Sequence, residues 1–129
     1  MVKPLAAIAF ALALSFAGAG PAQAQYVMDL GSLIAALRIG DFSGDIENLQ
    51  KANRVYVERV SRLSGIRVSG DRLDGTVAAR RRVLRYLHAI IRQVPEAMKA
   101  LDRHGQTLDQ VIFLTTTNDG TAMLYVDDR

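Results

Sequence analysis

Cysteine and tryptophan are absent from this chain, and histidine occurs only at His88 and His104. Without cysteine there is no disulfide scaffold, no thiolate metal site, no cysteine nucleophile and no cysteine-anchored lipoprotein. Aromatic residues make up 6% of the sequence, and its basic middle has only Tyr56 and Tyr86, too few for a base-stacking platform. The spacings H-E-x-x-H and G-x-S-x-G and the Walker loop are missing. No repeat of solenoid length is present. With 129 residues, half of them hydrophobic and 22% charged, the chain has room for one small domain and the composition of an ordered one.

The N-terminus reads as an export signal. Lys3 is followed by an apolar run from Pro4 to Gly20 and then by Ala22-Gln23-Ala24, a small-x-small cleavage pattern. The run is short of the ~20 residues a spanning helix needs. The expectation is cleavage after Ala24, so that residues 1–24 are a signal peptide and 25–129 form a single small domain in the periplasm or outside the cell. Such a domain buries only about two thirds of its unfolded surface. Its stability then rests on packing or on self-association.

The periodicity predicts an α+β, mostly helical fold. A short helix over Asp29–Ile39 places Leu30, Leu33, Ile34 and Leu37 on one face. A longer helix over 45–64 carries Ile46, Leu49, Asn53, Tyr56, Val60 and Leu63 at alternating spacings of three and four, a seam with one polar member. Its antiparallel partner over 72–104 continues the pattern through Leu84, Leu87, Ile91, Met98 and Leu101, with a kink or a new helix at Pro95. Both Ser-Gly-Asp tripeptides, at 43–45 and 69–71, read as helix starts. The segment 111–126 changes to a β pattern around Asn118-Asp119-Gly120, a hairpin. A two-residue turn there sets Leu114 opposite Tyr125 and Phe113 opposite Val126. A lone hairpin is marginal in water, so it must lie on the helices, gain a third strand or pair with another copy.

Charge is unevenly laid out. Residues 51–103 hold thirteen basic side chains against five acidic ones, a net of +8; the rest of the expected mature chain has two against eight, a net of −6. Three readings follow. The plainest is a solvated helical surface in an arginine-rich chain, with thirteen Arg to three Lys. The second is neutralisation within the protein, with the acidic start or the tail at Asp127 and Asp128 lying on the basic helices or on a neighbouring subunit. The third is an anion-binding cluster at Arg80, Arg81, Arg82 and Arg85, which would draw phosphate groups by Coulomb attraction and forked hydrogen bonds. The export signal argues against nucleic acid as the partner.

No cofactor or metal is expected. Asp41, Ser43 and Asp45 begin like a calcium loop, but Ile46 stands where that loop needs glycine and Ala52 at its twelfth place. No catalytic constellation emerges either. His88 reads as a partly buried, hydrogen-bonded side chain and His104 as a helix-end cation. The leading expectation is therefore a non-enzymatic exported protein acting through association, as a homo-oligomer or with another envelope protein, along the seam Leu49, Asn53, Tyr56 and Val60. The alternative is a binder of anionic envelope components, lipid or lipopolysaccharide phosphates, through the arginine cluster. A small hydrolase is the third, and needs a deep pocket holding His88 beside a carboxylate.

Overall fold

The computed structural model describes residues 27–129; the export signal expected over 1–24 lies outside them. The chain starts with α1 (Leu30–Ile39), in which the Asp29 carboxylate accepts the Ser32 N–H at 2.7 Å and caps the first turn. Leu30, Leu33, Ile34 and Leu37 are all buried, as their spacing predicts. Helix α2 (Ser43–Gln50) follows Phe42, which holds a left-handed φ of 63°. The buried Phe42 ring packs edge-on against Phe113, centroids 5.1 Å apart, a contact that offsets the roughly 1–2 kcal/mol cost of that backbone conformation.

The helix expected over 45–64 forms only in its first part. It ends at Gln50, and the chain becomes strand β1 (Arg54–Arg59) and a 3-10 turn at Val60–Arg62. Val55, Tyr56 and Val57 are β-branched or aromatic, weak in a helix and well placed in a strand. The deciding partner is distant. The N–H groups of Asn53 and Arg54 donate to Gly120 O at 2.9 and 3.2 Å, and β1 then runs parallel to β3 (Thr121–Val126), with Tyr56 beside Met123. The hairpin thus finds its third strand within the same chain.

Strand β2 (Val111–Thr116) pairs antiparallel with β3, giving the order β1-β3-β2. All six residues of the central β3 are buried, as expected of a strand covered on both faces. The hairpin register differs from the expected one. Thr117 N–H donates to Thr121 O, so Asn118-Asp119-Gly120 is a three-residue loop with Gly120 at φ +91°. Leu114 now faces Leu124, Phe113 faces Tyr125, and an irregularity near Ile112 brings Val111 to Val126. The one-residue shift changes which side chains share a face. It puts Phe113 and Tyr125 together, centroids 6.1 Å apart, with the Tyr125 hydroxyl accepting the Met28 N–H.

The second long helix also divides. Helix α3 (Ile66–Ala79) starts earlier than expected, after Gly65 at φ +92°, so Ser69-Gly70-Asp71 lies inside it. At Arg80 the backbone turns (φ −107°, ψ 18°), and α4 (Arg81–Ile91) begins. Pro95 then opens α5 (Pro95–Arg103), the second of the two outcomes its position allowed. The antiparallel helix pair is therefore replaced by five α-helices around a mixed three-stranded sheet among the described residues. No helix among them is long and apolar enough to cross a membrane.

Candidate anion-binding surface

The four arginines grouped by the sequence do not stay together. Arg80 sits at the turn between α3 and α4, and its Nη2 group donates to the carbonyl of Gly40 at the end of α1. Arg81, Arg82 and Arg85 lie on α4, whose buried face is Leu84, Leu87 and Ile91. At about 100° per residue, Arg81, Arg82 and Arg85, together with Arg92 just past the helix end, fall within an arc of about 100° on the solvent side. All four are exposed. Tyr86 stands beside them, 60% exposed, and the helix contains no acidic residue.

Two depressions flank the Arg80 turn. One is a groove of about 380 Å³ between α1 and α3, lined by Ile34 and Arg38 from α1 and by Arg72, Gly75, Thr76, Ala79 and Arg80. The two helices start together, where Leu30 N–H donates to Ser64 O, and run side by side to ends joined by Arg80. That packing brings Arg38 to the same groove as Arg72 and Arg80. The Thr76 hydroxyl is spent on the Arg72 carbonyl at 2.9 Å. The Arg80 Nε–H is buried with no acceptor among the described residues. The nearby carboxylate is Asp41, held below the usual carboxylate range chiefly by the Ser43 N–H and hydroxyl, with Arg80's charge contributing.

The other depression, about 260 Å³, lies between α4 and β2 and is lined by Val77, Arg81, Leu84, Arg85, His88, Asp109, Val111 and Ile112. His88 and a carboxylate do meet here. However, His88 Nε2–H donates to Val111 O at 2.7 Å, and Asp109 accepts the Thr107 hydroxyl at 2.6 Å, which holds its carboxyl low. No hydroxyl or thiol is among the lining side chains. His88 thus satisfies a backbone carbonyl of β2. Asp45 serves the strand's far end, where its carboxylate accepts the N–H and hydroxyl of Thr116 at 3.2 and 2.6 Å. Because 117 and 121 form a hydrogen-bonded pair, Thr116 N–H points away from β3, and Asp45 closes that exposed edge.

The acidic tail does not neutralise α4. Arg129 binds Asp127 and reaches Asp74 and the Gly70 carbonyl on α3. Asp128 accepts the N–H and hydroxyl of Ser61 at 3.0 and 2.6 Å. Asp127 is held low first by its Arg129 hydrogen bond. Burial pushes Asp128 up, but the Ser61 hydrogen bonds outweigh it and leave that carboxyl low too. Among the described residues, no ion pair reaches Arg38, Arg72, Arg80, Arg81, Arg82, Arg85 or Arg92.

The expected seam is dispersed. Leu49 is buried in α2, Asn53 is exposed in the loop before β1, Tyr56 is half-buried in the strand, and Val60 is buried in the 3-10 turn. Conversely, Arg38 and Arg72 were not expected at a site, being 34 residues apart in sequence. No family model matches the chain, and neither curated proteins nor solved structures give a match.

Proposed function

We propose that this is a small, exported, non-enzymatic protein that binds anionic components of the cell envelope through the outer face of α4. One observation carries the reading: Arg81, Arg82, Arg85 and Arg92 share an exposed arc that no acid on the described surface pairs. Such a face attracts phosphate-bearing lipid or lipopolysaccharide, each arginine near an anionic surface contributing ~1 kcal/mol. Tyr86 supports it, since a half-polar ring suits the boundary between headgroups and water. The export signal supports periplasmic or secreted placement and leaves nucleic acid a poor partner.

The test is co-sedimentation with vesicles of anionic phospholipid against zwitterionic ones. Wild type binds the anionic vesicles only, and Arg82→Glu/Arg85→Glu lowers the affinity by roughly thirtyfold or more. Unchanged binding in that variant removes the arginine face from the account. A second reading, association with a copy of itself or with another envelope protein, is favoured by β1, an edge strand whose residues from Tyr56 to Arg59 are only half-buried. A sedimentation mass of one chain at high concentration counts against self-pairing.

A further inference from the structure

We infer that the groove between α1 and α3 is a separate binding site for a phosphate-type oxyanion carried on an apolar body. The site differs from the α4 face in drawing its arginines from two helices and the turn that ends one of them. Ile34, Gly75 and Ala79 line the site together with Arg38, Arg72 and Arg80. Its volume of about 380 Å³ lies at the small end of the range for small-ligand sites, about 300–1,000 Å³. Guanidinium groups match the geometry of phosphate oxygens through paired N–H donors. Arg80 is already oriented by the Gly40 carbonyl, so part of the ordering cost of binding is met before a ligand arrives.

Gly75 is the independent observation. It sits in the middle of α3, where glycine weakens a helix. Nothing in the fold asks for it: its φ is not positive, and a Cβ added there meets no atom within 4 Å. Gly75 lines the groove, and we take its missing side chain to be what keeps the groove open. Asp74 is turned to another side of the same helix, toward Arg129, and α3 lines the groove with arginine, glycine, threonine and alanine. An anionic head with a short hydrocarbon attachment satisfies both the guanidinium groups and the apolar lining.

The site is tested with hexyl phosphate titrated into the purified protein by calorimetry, with inorganic phosphate and hexanol as comparisons. Hexyl phosphate binds saturably, at least tenfold more tightly than inorganic phosphate, and hexanol does not bind. Gly75→Leu fills the groove and weakens binding more than tenfold while melting no lower than wild type. Arg38→Ala/Arg72→Ala weakens it to a similar degree, and Arg103→Glu, a charge reversal away from the groove, leaves it unchanged. Phosphatidic acid vesicles compete if the head belongs to a bilayer lipid and do not if it belongs to a soluble ester; both results keep the site. The inference is overturned if hexyl phosphate shows no saturable binding. Wild-type affinity in Gly75→Leu or in the double arginine variant overturns it too, as does an equal loss with Arg103→Glu. Hexyl phosphate binding without vesicle binding would keep the groove and sink the α4 reading.

Discussion

The outer face of α4 and the groove between α1 and α3 are both built from arginines that make no ion pair among the described residues, yet they are assembled differently. The α4 arginines come from one helix and its end and stand on an exposed arc, Arg81 and Arg85 at the rim of the depression against β2. The groove arginines come from α1, from the middle of α3 and from the turn that ends it, and they share the groove with Ile34, Gly75 and Ala79. An open face senses charge density, and its interactions weaken as salt shortens the screening length from about 10 Å at 0.1 M to about 3 Å at 1 M. A groove also senses shape and apolar content. Helix periodicity alone produces the first; only the packing of two helices produces the second.

Three changes sharpen this contrast beyond the binding tests. The largest effect on stability is expected from Arg80→Ala, which removes the guanidinium that holds the Gly40 carbonyl and joins the ends of α1 and α3. It costs about 1–2 kcal/mol, whereas Arg82→Ala on the open face stays within about 0.5 kcal/mol; urea melts of both variants compare them. Gly75→Ala acts in the opposite direction. It stabilises by about 0.5–1 kcal/mol, seen as a rise of a few degrees in melting temperature. A fall would mean that Gly75 serves the fold rather than the open groove.

The smallest effect concerns the tail, which engages neither arginine site. Asp127 and Asp128 titrate below the ordinary carboxylate range in the folded chain. Their stabilisation is therefore fully present above the unfolded value of about 4 and lost as pH falls through the lower native values. Melting temperature should drop between about pH 5 and pH 2, and Arg129→Ala should flatten part of that drop. A curve unchanged by Arg129→Ala shows that other carboxylates govern it.

What could be read in the sequence follows the range of the interactions. Helix α1 was legible because its cap, its stripe and its end at Gly40 lie within a dozen residues. The hairpin was legible in place but not in register, because a two-residue and a three-residue turn differ only in how Asn118 is used. The misread segment, 51–64, carries the spacing of a helical seam over the β-favouring run Val55-Tyr56-Val57. Its strand is decided by Gly120 and β3, more than 60 residues away. The break at Arg80 was hidden for another reason: the apolar phase from Leu73 to Leu84, Leu87 and Ile91 continues across it, and periodicity does not record a change in axis direction. For the same reason the sequence joined Arg80 to Arg81, Arg82 and Arg85. The fold instead joins it to Arg38 and Arg72.

The central claim, that the α4 arc is an electrostatic docking face, is tested most directly by the salt dependence of vesicle binding. Affinity for anionic vesicles should fall at least tenfold between 0.05 and 0.5 M sodium chloride, and the residual binding of Arg82→Glu/Arg85→Glu should hardly change over that range. Binding that is strong and indifferent to salt would contradict the claim.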